Sequence, residues 1–224
     1  MRAFVITLEE HEYSEACAAR CIQSAAAFGV HVEPFRAVAR IEAQDVMKAL
    51  GLHWTWAKLN NAYGRCQLTG LNQHPYGDLQ AKIGCSLSHY LLWQKCVAEG
   101  PMLILEHDAV FLRALSEFEF DGICQVNDPA GATHRGEAWS QHMRGRGPGV
   151  FPKTRVMEDP HRPDGLAGNS AYVIKPWAAQ ELIDAFHRFG VWPNDATMCV
   201  QLFPYLQELY PWVTRVQQSV STTS

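Results

Sequence analysis

Two carboxylates directly after an apolar run are the residues of this chain best suited to hold a cation. The run is Leu103–Leu105, and Glu106, His107 and Asp108 follow it. Such a run predicts a buried strand, and ligands of open α/β sheets bind beyond the carboxyl ends of the strands. Residues two apart in an extended chain point the same way, so Glu106 and Asp108 are expected to face one magnesium or manganese ion. His107 is a third ligand or points to the other side. The competing interpretation is a pair of solvated acids in a turn.

A long amphipathic segment, Lys82–Glu99, precedes that strand and predicts the strongest helix of the chain. Ser88 and His89 fall in its first turns, near the positive end of the helix, where they could meet a phosphate or a ribose. Alternatively, Ser86 caps the helix and His89 is a half-buried histidine with its hydrogen bonds satisfied.

Other elements must position these residues. Ala3–Leu8 predicts a strand, Ser14–Phe28 a helix and Val30–Phe35 a second strand. This β-α-β order is typical of a parallel sheet with crossover helices. Residues 54–76 show no clean period and are interpreted as loop and short helices. The remaining elements are a short helix at Ile41–Leu50, a strand at Ser170–Ile174 and a helix at Pro176–Phe189.

Residues 127–165 differ from the rest of the chain and predict a long, mostly irregular basic loop. This segment holds five acids and six cations, and the cations are Arg135, Arg144, Arg146, Lys153, Arg155 and Arg162. The loop is interpreted as a solvated excursion, as a lid over a bound substrate, or as a contact surface for an anionic acceptor such as a phosphorylated glycan or a nucleic acid. Trp139 within it is a local hydrophobic anchor or a stacking platform.

Composition excludes several classes of protein. The 224 residues carry a net charge of −4 and are 47% hydrophobic, which is typical of a globular domain and argues against a nucleic-acid grip over the whole surface. No secretory or membrane-spanning run is present, so a cytoplasmic location is predicted. The seven cysteines are scattered without a C-x-x-C pair. They are interpreted as buried thiols in a reducing compartment, and no zinc cluster is predicted.

Several blocks of the sequence resemble glycosyltransferase family 25, which includes bacterial lipooligosaccharide galactosyltransferases and collagen galactosyltransferases. The central pair is Lys82–His89 (KIGCSLSH) and Leu103–Phe111 (LILEHDAVF). They are similar to the family's G-E-I-G-C-x-x-S-H helix start and L-I-L-E-D-D strand end. Further similar blocks occur in the expected order: Phe4–Leu8, Pro34–Val38, Gly168–Ile174 and Pro193–Asp195.

The resemblance implies a single domain of the GT-A type, an α/β fold with a Rossmann-like mixed sheet flanked by helices. It also implies a nucleotide-sugar donor, a divalent metal and a general base, for which Asp195 is the candidate. Asp195 could also be the N-cap of a helix over Ala196–Val200, and the two roles are not exclusive. By block position, the residues implied in donor binding are Thr7, Leu8, Ala37, Val38, Lys82, Ser88, His89 and Asn169, and those implied in metal binding are Glu106, His107 and Asp108.

Two departures from the family pattern qualify these implications. Ala81-Lys82 stands where the family has Gly-Glu, so Lys82 places a cation where an anion is usual and could contact the donor's phosphates. His107 replaces the middle acid of the acidic block, which leaves Glu106 and Asp108 as its carboxylates.

The function implied by the resemblance is transfer of galactose or glucose from a UDP-sugar to a hydroxyl acceptor, with inversion and with the help of manganese or magnesium. The acceptor expected is a glycan of the lipopolysaccharide type. Two alternatives remain open: the same chemistry on a hydroxymethylated DNA base, and a non-catalytic relative that binds a nucleotide or a carbohydrate.

Overall fold

The computed structural model describes residues 1–56, 64–74, 77–131, 136–166 and 169–217. Its helices are α1 (Glu12–Ala26), α2 (Ala43–Ala49), α3 (Leu79–Glu99), α4 (Gly136–Arg144), α5 (Pro176–Phe189) and α6 (Asn194–Thr197). Its strands are β1 (Arg2–Thr7), β2 (Glu33–Arg36), β3 (Gly64–Arg65), β4 (Asn72–Gln73), β5 (Met102–Glu106), β6 (Ala109–Phe111), β7 (Ile123–Gln125), β8 (Asn127–Asp128), β9 (Gly149–Pro152), β10 (Ala171–Ile174), β11 (Leu206–Tyr210) and β12 (Thr214–Val216).

Seven strands form one mixed sheet in the order β2-β1-β5-β10-β7-β11-β9. β1 pairs in parallel with β2 and with β5, and β11 pairs in parallel with β7. β10 is antiparallel to both of its neighbours, and β9 is antiparallel to β11. A smaller sheet, β6-β12-β8, lies beside it. The predicted α/β class with a mixed sheet flanked by helices is therefore confirmed, whereas the single domain stays a prediction.

Burial on both faces explains why β5 reads as an uninterrupted apolar run. Met102 and Ile104 belong to the cluster formed with α3 and α5. Leu103 and Leu105 belong to the cluster on the opposite face, which includes residues of α1. A strand covered by helices on both sides has no solvent face to alternate with, so its side chains are all apolar until it reaches the sheet edge.

Most predicted elements are present, with shifted ends. The β-α-β start is confirmed as β1, α1 and β2. Pro176–Phe189 is helical over the predicted range, with the proline in its first turn, where no intrahelical N–H is required. Helix α3 starts three residues before the predicted Lys82 because Asp78 caps it.

The predicted irregular loop at 127–165 contains regular structure. Its described parts include β8, α4 and the edge strand β9, while residues 132–135, with Arg135, lie outside the described residues. α4 has too few apolar residues to show a long period. Its buried Trp139 and Met143 pack against Trp212, which makes Trp139 the hydrophobic anchor rather than the stacking platform. Among the described helices, none combines the length and the apolar character needed to cross a membrane.

Candidate active site

The carboxyl edge of the main sheet gathers most of the residues predicted for the site. β1, β2 and β5 are parallel, so their last residues, Thr7, Arg36 and Glu106, lie at one edge. β10 begins at this edge, directly after Asn169 and Ser170. The backbone N–H of Glu106 donates to the Ser170 carbonyl at 2.8 Å. This is the edge at which open α/β sheets bind their ligands.

A buried chain of hydrogen bonds holds Glu106 from behind. The indole Nε1 of Trp93 donates to the Tyr172 hydroxyl at 2.8 Å, and that hydroxyl lies 2.9 Å from His89 Nδ1. His89 Nε2 lies 3.3 Å from Glu106 Oε1. Every donor in the chain is satisfied if Tyr172 donates to Nδ1 and the imidazole proton sits on Nε2, facing the carboxylate. Burial, the largest single influence, would raise the pKa of Glu106, but the hydrogen bond from His89 and the charges of His89, His107 and Lys82 together outweigh burial and lower the pKa.

The two residues after Glu106 lie in a turn and face different surroundings. The ring of His107 contacts Tyr13 of α1 edge-on, with centroids 6.3 Å apart. Burial lowers the pKa of His107. Burial and the charge of Glu106 raise the pKa of Asp108 to about 7, against a hydrogen bond from Ser170. Asp108 is thus electrostatically coupled to Glu106, whereas His107 is directed towards α1.

The three predicted metal ligands do not converge on one point. Over the described ranges, the group of three residues whose side-chain ligand atoms all lie within 4.8 Å of one another is Cys85, His89 and Glu106. His107 and Asp108 do not belong to this group. The expectation that Glu106 and Asp108 face one ion used the alternation of an extended chain, but β5 ends at Glu106 and the chain turns at once. A shared cation between the two carboxylates stays a prediction.

Unpartnered polar atoms indicate that this edge is built to meet a ligand. Asp108 Oδ1, both side-chain polar atoms of Asn169 and Asn194 Nδ2 are buried without a hydrogen-bond partner. Burying such atoms unpaired costs about 1–3 kcal/mol each, so they are normally satisfied by protein, water or ligand. Carboxylate and amide oxygens suit a hard divalent cation, and amide N–H groups suit phosphate or sugar oxygens. The residues present therefore fit a cation and a polar substrate.

Asp195 lies in the same electrostatic neighbourhood. It belongs to the first turn of α6, whose N-cap is Pro193, so the predicted N-cap role is wrong by two positions. Its Oδ1 accepts from the backbone N–H of Ala196 at 2.9 Å. Burial raises the pKa of Asp195, the charge of Lys82 opposes that rise, and Glu106 adds to it. The structure thus brings Asp195, Lys82 and Glu106 within electrostatic range of one another.

His74 is a neighbour of Asp195 that the sequence did not reveal. Burial and the charge of Arg162 lower its pKa, while Asp195 acts in the opposite direction. Its ring meets that of Trp56 edge-on, at a centroid distance of 5.7 Å. His74 falls in the part of the chain without a clean period, where no motif or spacing singled it out.

Ser88 and His89 do not lie at the positive end of α3. The helix begins at Leu79, and the Asp78 carboxylate accepts from a first-turn backbone N–H at 3.1 Å. Ser88 and His89 are therefore in its third turn, beyond the reach of the end charges. Ser86 is not the cap either, because its hydroxyl donates to a carbonyl one turn earlier, at 2.9 Å.

Ser88 joins α3 to the loop after β2. Its buried hydroxyl donates to the Gly84 carbonyl at 2.7 Å and accepts from the backbone N–H of Val38 at 2.8 Å. A Cβ on Gly84 would lie 2.5 Å from the Val38 carbonyl oxygen. Two residues predicted for donor binding, Val38 and Ser88, thus bind each other.

The backbone groups at the end of β1 are also used internally. The N–H of Ala37 donates to the Thr7 carbonyl at 2.9 Å, and the N–H of Leu8 donates to the Ser14 hydroxyl at 3.0 Å. Thr7 and Ala37 are buried, and Leu8 is half-buried. These contacts fix the first loops of the edge, while a role of Thr7, Leu8 and Ala37 in donor binding stays a prediction.

A groove of about 410 Å³ opens beside the start of α3, lined by Arg40, Gly77, Asp78, Leu79 and Gln80. Arg40 follows β2 and pairs with Asp78 at 2.9 Å, which places the groove at the same sheet edge. A second cavity, of about 520 Å³, lies at the opposite edge, where β10 ends. Its lining is Glu119, Phe120, Asp121, Val150, Lys175, Trp177 and Gln207.

Comparisons with known proteins bear on the central block. Residues 76–128 match the family described as glycosyltransferase family 25 (LPS biosynthesis protein), which confirms the predicted resemblance. This range includes α3 and β5 and carries Lys82, Ser88, His89, Glu106, His107 and Asp108. None of the curated proteins matches the chain. Among solved structures, apo mouse xyloside xylosyltransferase 1 is similar with 13% identity and a TM-score of 0.40, covering 92% of this chain and 83% of that one. A likeness that distant carries no argument about activity.

Proposed function

From the premise that the chain is a glycosyltransferase with a family 25 block at residues 76–128, we propose that it moves a hexose from a UDP-sugar to a hydroxyl group. The hexose is galactose or glucose, and the acceptor is a glycan of the lipopolysaccharide type. The reaction inverts the anomeric carbon and uses manganese or magnesium.

One observation carries the proposal: two half-buried acids that interact electrostatically, Glu106 and Asp108, stand at the carboxyl edge of the sheet, and one oxygen of Asp108 has no hydrogen-bond partner. The charge of Glu106 contributes to raising the pKa of Asp108 to about 7, and Asp108 Oδ1 is buried without a partner. Two carboxylates that share a site resist being ionised together unless a cation lies between them. The unpartnered Asn169 side chain adds a neutral oxygen at the same edge.

Glu106 and Asp108 are the proposed ligands of the divalent cation, with Asn169 as a third. When bound, the cation neutralises the charge that develops on the leaving diphosphate. Lys82 adds a fixed positive charge on the first turns of α3, within electrostatic range of Glu106. His107 is left out of this set because its ring packs towards Tyr13.

Asp195 is the proposed general base. It accepts the proton of the acceptor hydroxyl while that oxygen attacks the anomeric carbon from the face opposite the diphosphate. Burial raises the pKa of Asp195 above its ordinary value, and a base works best when its pKa is close to the working pH. The charge of Lys82 lowers the pKa of Asp195 and the charge of Glu106 raises it.

The test is a screen of UDP-sugars for release of free UDP, with and without manganese, using glycan and hydroxymethylated DNA acceptors. We expect manganese-dependent UDP release that glycan acceptors stimulate. Asp108→Asn should abolish the increase in UDP release that manganese causes in the wild type. Asp195→Asn should lower transfer by roughly 10²–10⁴-fold while a UDP-dependent rise in melting temperature is kept.

Asp184→Asn is the matched control, since Asp184 is an exposed carboxylate on α5, and it should behave as the wild type. Stabilisation by UDP without any UDP release would favour the binding-only alternative. If no donor either stabilises the protein or releases UDP, the proposal is overturned. Stimulation of UDP release by DNA acceptors alone would show that the acceptor is a hydroxymethylated DNA base instead of a glycan.

A further inference from the structure

A second set of potential metal ligands overlaps the proposed donor site. The ligand atoms of Cys85, His89 and Glu106 all lie within 4.8 Å of one another. Cys85 and His89 are four residues apart on α3, so they share a helix face. Glu106 reaches them from the end of β5, with its Oε1 3.3 Å from His89 Nε2.

The donor types select the cation. A thiolate, an imidazole and one carboxylate suit zinc or cobalt, whereas magnesium and manganese prefer oxygen ligands only. Zinc holds sulfur at about 2.3 Å and nitrogen or oxygen at about 2.0–2.2 Å, so its ligand atoms lie roughly 3.3–3.7 Å apart in a tetrahedron. The 3.3 Å between His89 and Glu106 already meets this spacing. The Cys85 sulfur lies within 4.8 Å of the other two ligand atoms.

The groups around these three residues are those that a zinc site needs. Metal-bound histidines have their other ring nitrogen held by a hydrogen-bonding partner. His89 Nδ1 has such a partner in the Tyr172 hydroxyl at 2.9 Å, which Trp93 fixes in turn. His89 is fully buried, while Cys85 and Glu106 are partly exposed, so an ion can reach the group from the sheet edge.

We propose that Cys85, His89 and Glu106 bind a thiophilic divalent cation, zinc in the first place, with water or substrate as the fourth ligand. Binding releases the thiol proton to solvent, and the imidazole proton moves from Nε2 to Nδ1, where it is donated to the Tyr172 hydroxyl while Nε2 takes the ion. Because Glu106 is a ligand in both sets, zinc competes with the donor-site cation for this carboxylate and inhibits the transferase. The inhibition rests on the proposed function, whereas the binding does not.

The sequence offered no such site because zinc motifs are recognised from paired cysteines and histidines with fixed spacing. Here two ligands come from one helix and the third from a strand end 17 residues further along. Only the packing of α3 against β5 brings them together.

Cobalt titration of the whole chain tests the binding, because a cobalt–thiolate bond gives a charge-transfer absorption in the near ultraviolet. We expect this band in the wild type, its loss in Cys85→Ser and its retention in Cys66→Ser. Cys66 is the matched control, another half-buried free cysteine, outside α3. Absence of the band in the wild type, or its persistence in Cys85→Ser, overturns the proposal.

Cys85→Ala is the second variant, so that loss of the band does not depend on a single replacement, and far-ultraviolet circular dichroism must show both variants folded. In the UDP-release assay, micromolar zinc should inhibit the wild type and spare Cys85→Ser. Equal inhibition of both overturns the regulatory half of the proposal. If the wild type shows the cobalt band but releases no UDP, the zinc site is supported and the proposed function is contradicted. The failure of one proposal is therefore distinguishable from the failure of the other.

Discussion

The Tyr172 hydroxyl joins the buried side chains that hold Glu106 in place. It accepts from Trp93 and contacts His89, and the His89 ring packs against the rings of both Trp93 and Tyr172 behind the sheet edge. A carboxylate that must hold a cation works best if its rotamer is set before the ion arrives. This hydroxyl therefore acts on Glu106 through His89, as a positioning group without substrate contact.

Tyr172→Phe removes this group and leaves the Trp93 N–H and His89 Nδ1 unpaired. We expect the free energy of unfolding to fall by about 1–3 kcal/mol and the manganese concentration for half-maximal UDP release to rise. Tyr90→Phe is the control, because it also removes a buried tyrosine's bond to a histidine, Tyr90 to His187 at 3.0 Å, but on the α5 side of the helix. Urea denaturation and manganese titration measure both effects. An unchanged manganese requirement in Tyr172→Phe would contradict the positioning role.

Helix α3 connects the first part of the sheet to the acids of the site. Its second and third turns lie directly against the loop after β2, where Gly84 meets the Val38 carbonyl and the Ser88 hydroxyl accepts from the Val38 N–H. The same helix carries Lys82, Cys85 and His89 towards Glu106. The distance between helix and loop therefore sets where these side chains lie relative to the sheet edge.

Gly84→Ala tests this close approach. The added methyl would lie 2.5 Å from the Val38 carbonyl oxygen, so the helix or the loop has to shift. Overpacking of this kind costs typically about 1–3 kcal/mol, more than the ~1 kcal/mol that alanine gains in helix propensity. We expect a lower melting temperature and weaker donor-dependent stabilisation, both measured by thermal unfolding.

Gly77→Ala is the control for that substitution, because a methyl there meets nothing within 4 Å. It should be neutral or slightly stabilising, since alanine restricts the unfolded chain. A Gly84→Ala protein as stable as the wild type would show that the loop after β2 yields without cost.

At the scale of the whole molecule, a buried set of charges ties the basic segment to the main sheet. Lys153 Nζ donates to Asp164 Oδ1 at 3.2 Å and lies 3.7 Å from the centre of the Trp139 ring. Glu208 of β11 accepts from the backbone N–H and the hydroxyl of Thr154. Lys153 thus serves the fold from the interior and is not offered to an anionic acceptor.

Glu208 makes the stability of this region depend on pH. Burial raises its pKa from 4.5 to about 7, against the charge of Lys153. A carboxyl whose pKa is higher in the folded state contributes stability below its unfolded pKa and loses that contribution as the pH rises through the folded value. We expect the free energy of unfolding to fall by about 1–3 kcal/mol between about pH 5 and about pH 8 because of this group.

Glu208→Gln should remove that part of the pH dependence, as measured by urea denaturation at both pH values. Glu117→Gln, a substitution at an exposed carboxyl, should keep the wild-type slope. Identical slopes in all three proteins would contradict the buried, protonated state of Glu208.

The local pattern of the chain was enough to predict the β-α-β start, the central helix, the buried β5 and α5, because burial of these segments leaves continuous or periodic apolar residues. It was also enough to place acids at the end of a strand, and the block around them is the part that matches family 25. These features depend on neighbours in sequence, which a pattern records directly.

Which side chains meet at the edge could not be read from the pattern, because that depends on contacts between segments far apart in the chain. The turn after Glu106 ends the alternation that the sequence argument extended to Asp108, and the early cap at Asp78 moves Ser88 and His89 almost one turn further from the helix start. Lys82, Glu106 and His74 act on the pKa of Asp195, and Cys85 lies beside His89 and Glu106, only because the fold brings distant segments together. The spacing of residues along the chain does not indicate such contacts, because each contact depends on the position of a whole helix in the tertiary structure.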